Sequence, residues 1–263
     1  MSRSQPTQTN PALYFYSWSG SRGQLEHYDK ERKLNIPVTM PFSCMVLDEL
    51  ATITGYCEPD ESSYWSNEVR SVAKEELTVK TSKGTRQVGL YANLADVRAK
   101  GAKYAKSIYI ATKINDEYVI ANIKASGAAL TSWIELSQAH KVANGTIMLT
   151  GKLEAKKGTN TYYMPVFDYR ASTPDEDEIA IALDKQLQVY LSQYLAKPVE
   201  DDMPVLNNET HTSKPDMSDI TNQSSARTRS QDEMDAEAQS LYASHATAES
   251  MGAPFDVNDI PFE

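Results

Sequence analysis

Apolar side chains fall on every second position through Ile36, Val38, Met40, Phe42, Cys44 and Val46, the period of a strand with one buried face. Pro37 and Pro41 sit at the opposite parity and have no N–H to give a ladder, which predicts an edge or a bulge. Downstream, ELTVKTSKGTRQVGLYANL predicts two strands around Ser82-Lys83-Gly84-Thr85, and LADVRAKG a short helix closed by Gly101. KSIYIATKI and YVIANIK flank Asn115-Asp116-Glu117 as a hairpin. SGAALTSWIELSQAHK reads as a helix capped by Ser126. GTIMLTGKLEA and TYYMPVFDYR flank Lys156-Lys157-Gly158-Thr159-Asn160 as a second hairpin with a basic tip.

The period then changes to that of a helix. Thr173 is placed as N-cap, Pro174 as first helical residue, and Thr173 with Glu176 at capping-box spacing. Ile179, Leu183, Leu187, Leu191 and Leu195 recur every four residues, joined by Tyr190 and Tyr194. Such a stripe must pack on the body or on a second copy of the chain. Pro198 stops the helix, and PVEDDMPVLNNETHTSKPDMSDITNQSS, rich in polar and acidic residues without an apolar face, predicts disorder. The expected fold class is mainly β with helices, a small antiparallel barrel or sandwich followed by one C-terminal helix and a disordered acidic tail.

Charge sharpens this division. The chain carries −10 overall, but residues 198–263 hold three basic against fourteen acidic side chains, and the remaining 197 residues hold 23 against 22. Within the body, residues 70–157 have fifteen Lys and Arg against seven Asp and Glu. A basic middle beside an acidic tail fits a protein that holds a polyanion with one part and something else with the other. Cys44 and Cys57 read as buried thiols rather than a bridge, and no Cys or His spacing suits a metal, so no cofactor is expected. No apolar run is long enough to span a membrane, and the N-terminal residues lack a signal-peptide stretch, so a cytoplasmic protein is expected.

Strand parity nominates a face. Tyr109, Ala111 and Lys113 lie opposite Ile108, Ile110, Thr112 and Ile114. A tyrosine beside a lysine suits single-stranded nucleic acid, because the ring stacks on any base while the ammonium meets the phosphate. Lys80 is opposite Leu77 and Val79, Lys124 opposite Ile123, and Lys152 opposite Leu149, Gly151 and Leu153. Lys83, Arg86, Lys156 and Lys157 lie in loops around them, with Tyr162 and Tyr163 following, and Tyr64 and Trp65 among further aromatics. These thirteen side chains, Ala111 aside, are the candidate nucleic-acid contacts.

The last residues, PFDVNDIPFE, place Asp256 and Asp259 before Ile260, Pro261 and Phe262. This segment resembles the acidic tip of bacterial single-stranded DNA-binding proteins, where a few aspartates precede Ile-Pro-Phe. The resemblance implies a docking peptide whose carboxylates meet a basic rim and whose phenylalanine enters an apolar pocket on replication, recombination and repair proteins. It departs from the family in having Glu263 after Phe262 and only two aspartates in the last eight residues, which implies a weaker dock or a different partner. FSCMVLDEL, YWSNEV and SGAALTSWIE are similar to segments of bacteriophage single-stranded DNA-binding proteins. The implied organisation is an OB-like nucleic-acid-binding domain over residues 1–197, an acidic linker over 198–253 and a partner-docking tip over 254–263.

No GxxxxGK[ST], HExxH or GxSxG motif is present, and the carboxylates from Asp175 to Glu178 suit a helix N-terminus, so catalysis is not expected. Two classes compete: a protein that coats single-stranded DNA and recruits partners through its tip, and an interaction or scaffold protein that binds no DNA. Self-association is left open.

Overall fold

The computed structural model describes residues 9–29, 31–84 and 86–196. Linker 198–253 and tip 254–263 lie outside the described residues. The described chain is mainly β, with few helices, and its eleven strands form one open sheet.

The strand that organises the sheet is β4 (Phe42–Cys57), 16 residues long. It pairs antiparallel with β8 (Ala102–Ile114) along most of its length, with β10 (Gly145–Lys157) at one end and with β5 (Ser62–Ser66) at the other. From β8 the order runs through β9 (Glu117–Ser126) to β1 (Tyr14–Ser19), β2 (Gln24–Asp29) and β3 (Leu34–Pro37); from β5 it runs to β6 (Leu77–Lys80) and β7 (Arg86–Gly89). β1 lies parallel to β9, and β11 (Asn160–Ala171) pairs with β10. β1 and β11 share no ladder among the described residues. They are joined where the Tyr163 N–H donates to the carbonyl of Gly20, just past β1, at 2.8 Å and Trp18 Nε1–H donates to the Tyr163 carbonyl at 2.8 Å.

The alternation expected through Val46 is cut in two. β3 ends at Pro37 and β4 begins at Phe42, because prolines at 37 and 41 leave that stretch without the N–H groups a ladder needs. β3 is an edge strand, as the prolines require. The Asn115-Asp116 hairpin forms with both residues at positive φ, 50° and 68°. The short helix α1 (Ala95–Ala99) and the helix α2 (Ala128–Ala139) form where the sequence places them. Ser126 does not cap α2; it ends β9, and Gly127 at φ +54° makes the turn into the helix with no side-chain cap bond.

A β-bulge between Val46 and Asp48 reverses the parity of β4. Before it, Phe42, Cys44 and Val46 face a core with Ile108, Ile110, Ile123, Ile147, Leu149 and Trp133. After it, Ala51 and Ile53 face a second core with Tyr64, Leu77, Val79, Leu94 and Val97. Leu50 therefore emerges on the other side of the sheet, where Leu187 and Leu191 of α3 (Pro174–Ala196) are fully buried against it with Tyr109 and Ile120. The leucine stripe thus packs on the body.

α3 is tied to the sheet at its first turn. The Glu176 N–H donates to Thr173 Oγ1 at 3.3 Å, the Thr173 N–H donates to Glu176 at 2.9 Å, and Arg170 from β11 donates to the same carboxylate at 2.7 Å. The Arg170 guanidinium holds the Glu176 carboxyl down at about 2. A depressed carboxyl stabilises the fold above its ordinary value of 4.5, and the contribution is lost as pH falls towards 2. Glu176→Gln is expected to cost about 1 kcal/mol at pH 7, measured by urea unfolding, with the gap to wild type closing between those two pH values. An equal gap at pH 7 and pH 2 would contradict the assignment.

Candidate nucleic-acid interface

The candidate side chains separate into two outward groups and a set that the fold withdraws from solvent. The first group lies on the wing formed by β5, β6 and β7. Trp65 is directly opposite Lys80, and Lys80 directly opposite Arg86, so the three share one face. Lys80 Nζ stands 5.7 Å from the centroid of the half-buried Trp65 ring. The other face of this wing carries Tyr64, Leu77 and Val79 into the second core beside Ile53 of β4, which holds the outward face in place. Lys83 in the β6–β7 turn is exposed and paired with Glu61 at 3.4 Å.

The second group is the β10–β11 hairpin. β10 pairs with β4 only from Thr146 to Leu149, after which the hairpin continues alone to its tip. A register shift between Leu149 and Gly151 reverses the parity expected there. Leu153, expected inside, is 60% exposed, and Lys152 lies on the Pro165 and Tyr163 side, its Nζ 4.5 Å above the Tyr163 ring. Lys152 Nζ also donates to the Arg22 carbonyl at 3.1 Å. Beneath them Gly23 has φ +65°, and a Cβ there would come within 2.4 Å of Lys152 Cδ and 2.7 Å of the Tyr163 ring. Only glycine lets the β1–β2 turn underlie this pair. Lys156 and Lys157 are exposed before the turn at Gly158, and Tyr162 is half-buried after it.

Three expectations are corrected. Tyr109 is 1% exposed, because α3 covers the outward face of β8 at this level; its hydroxyl donates to Glu68 at 2.8 Å and burial raises its pKa. It cannot stack on a base in this fold. Tyr64 is buried in the second core with its hydroxyl donating to Cys57 Sγ at 3.0 Å, and burial likewise raises its pKa. Lys124 is half-exposed at most and sits near Glu68 within the same covered region; burial lowers its pKa while the carboxylate opposes the shift. Ser107, which donates to Glu68 and accepts from Asn122 Nδ2–H at 2.7 Å, belongs to this polar cluster. Lys113 is exposed, as expected, at the β8–β9 turn, where it pairs with Asp116 at 3.1 Å.

Two outward side chains escape the sequence reading. Tyr56, 44% exposed, follows Thr54 on the outer face of β4, and Lys103, exposed, is directly opposite Thr54 on β8. Their membership of the Trp65 face depends on the β4 bulge, for which the sequence carries no glycine or proline signal. Among the described residues no group of three His, Cys, Asp or Glu side chains gathers as a metal site, and no helix is long and apolar enough to cross a membrane. Asp256, Asp259, Ile260, Pro261 and Phe262 lie outside the described residues. No family model, curated protein or solved structure matches the chain.

The burial of Tyr109 has a measurable consequence. Tyr109→Phe leaves Glu68 short of a donor, so unfolding stability is expected to fall by about 1–3 kcal/mol, with affinity for single-stranded DNA unchanged. Loss of affinity at wild-type stability would return Tyr109 to the interface.

Proposed function

We propose that this chain binds single-stranded DNA with little sequence preference and recruits replication, recombination or repair proteins through its acidic C-terminal tip. The observation that carries the reading is the repeated coupling of a cation to a half-buried aromatic ring: Lys80 over Trp65 on the wing and Lys152 over Tyr163 on the hairpin, beside the basic tip of Lys156 and Lys157. Single strands are held where exposed rings offer stacking to any base and cations track the phosphates. Duplex DNA hides its base faces and cannot use such rings.

The order of the elements supports an OB-like relationship. β4, β8 and β9 form a meander, α2 follows, β10 returns to pair with β4, and β11 pairs with β10. In OB folds the first-to-second and fourth-to-fifth strand loops flank the nucleic acid. Here the wing lies within the connection between β4 and β8, and Lys156 and Lys157 lie at the β10–β11 turn, which on this reading correspond to those loops.

Fluorescence anisotropy of labelled dT oligomers, with duplex DNA as competitor, tests the reading. Tight binding to the single strand that weakens with salt is expected. If Lys156 and Lys157 each meet a phosphate, replacing both by Ala reduces the slope of log affinity against log salt by about 1.4, from about 0.7 per single-strand phosphate. Absence of single-strand binding at low salt leaves a scaffold or interaction protein whose basic face is only solvated surface.

The tail enters through charge. Residues 198–263 carry −11, from three basic and fourteen acidic side chains, and tethering holds them near the basic faces at roughly millimolar effective concentration. Deleting them is expected to tighten DNA binding at low salt, an effect that fades as salt rises. Unchanged affinity would remove the tail from competition for DNA.

A further inference from the structure

The cross-strand register extends the Trp65 face beyond the residues assigned above. Thr54 on β4 is directly opposite Trp65 on β5 and, on its other side, directly opposite Lys103 on β8. Trp65 is opposite Lys80 and Lys80 opposite Arg86. Directly opposed residues project from the same face of a sheet, so Lys103, Thr54, Trp65, Lys80 and Arg86 make a single row across five neighbouring strands. Four inter-strand steps of about 4.8 Å give it a length of about 19 Å. Tyr56, two residues beyond Thr54, stands on the same face beside Trp65.

Two glycines fix the Lys103 end. Gly101 has φ +103°, and a Cβ on it would lie 2.4 Å from the Tyr56 carbonyl; a Cβ on Gly55 would lie 2.1 Å from the Gly101 carbonyl. The start of β8 therefore passes against β4 backbone to backbone, which brings Lys103 into line. On the reverse side Ile53, Tyr64 and Val79 are buried in the second core, so the row sits on a stiff support. The row itself holds three cations, a threonine and an indole. Of the acids around it, Glu61 is held by Lys83, Asp60 accepts from Thr81 at 2.6 Å, and Glu68 accepts from Tyr109 and Ser107.

We propose that Lys103, Thr54, Trp65, Lys80 and Arg86, with Tyr56 beside them, are a binding row for a nucleic-acid single strand laid across the strands of the wing, with Trp65 as the central base platform. The inference rests on the single-strand reading above and goes beyond it in naming the path. The backbone phosphates meet Lys103 at one end and Lys80 and Arg86 at the other, and bases stack on Trp65 and Tyr56 between them. The small Thr54 side chain leaves the indole open on the Lys103 side.

The other two tryptophans are committed elsewhere. Trp133 is 1% exposed and its Nε1–H donates to Glu49 at 2.9 Å; Trp18 donates to the Tyr163 carbonyl and packs against the first core. Trp65 should therefore be the indole that reports the strand.

The test uses the full-length chain and a dT oligomer, following intrinsic tryptophan quenching and, separately, anisotropy of a labelled oligomer. Wild type is expected to bind with quenching. Trp65→Phe is expected to lose most of the quench. Trp65→Ala is expected to bind about 5- to 150-fold more weakly, the range for one lost stacking platform. Lys103→Glu is expected to weaken binding at least tenfold and Lys103→Arg to retain it, while Lys185→Glu, the same charge change on the exposed side of α3, leaves affinity near wild type. Melting curves identify any variant that fails to fold, and exposed Lys103 keeps the test decisive if the Trp65 variants do. Wild-type binding with quench and affinity intact in the Trp65 and Lys103 variants would overturn the row and leave the single-strand reading standing. A wild-type chain that binds no dT at low salt would overturn both.

Discussion

The constraint on which the structure depends is that one strand, β4, must serve several neighbours and bury two faces at once. It pairs with β8 on one edge and with β10 and then β5 on the other. A strand of strict parity would send the same alternate residues to one side along its whole length. The bulge between Val46 and Asp48 breaks that rule, so that Phe42, Cys44 and Val46 enter the first core while Leu50, four residues past Val46, turns to the opposite side. The wing inherits the consequence: after the bulge Ile53 points inward and Thr54 and Tyr56 point out, which decides that Trp65, opposite Thr54, faces solvent.

The second determinant is α3. Leu187 and Leu191 need an apolar seat, each contributing about 1.5–3 kcal/mol when fully buried, and they find it on Leu50, Tyr109 and Ile120. The polar groups caught beneath the helix are satisfied in place: Glu68 accepts from Tyr109 and Ser107, its own N–H donates to the Tyr194 hydroxyl at 3.1 Å, and Asn122 donates to Ser107. Outside the helix, Arg70 donates to Asp48 at 3.0 Å and Gln188 donates to the same carboxylate at 2.8 Å. The outward face at the middle of β8 and β9 is thereby closed, and the outward aromatic and basic chemistry is left on the wing and on the hairpin.

Much of the fold was legible because it rests on local signals. The Asn115-Asp116 turn, the basic hairpin tip, the Thr173 and Glu176 capping box and the α3 leucine stripe all stand where turn chemistry and periodicity put them. The interface was legible in its residue types but only half legible in its geometry. Alternation around Tyr109 correctly separated two faces of β8; which of them a distant helix would cover is a tertiary fact that no spacing within β8 encodes. Alternation puts Lys152 on the wrong face because a bulge reverses parity, and Gly151 is the local hint. Lys103 and Tyr56 join the Trp65 face only through the register of β4 with β8 and β5, which is set by packing on both sides of β4 rather than by any run of residues around them.

Photo-cross-linking of the full-length chain to a dT oligomer carrying 5-iodouracil, with peptide mapping by mass spectrometry, reads which rings lie against bases. Cross-links are expected at Trp65 and Tyr56 and at the Tyr162–Tyr163 end of the hairpin, and none at Tyr109. Cross-links concentrated at Tyr109 would mean that α3 leaves the sheet when the strand binds. Cross-links absent from both the wing and the hairpin would contradict the assignment of the interface.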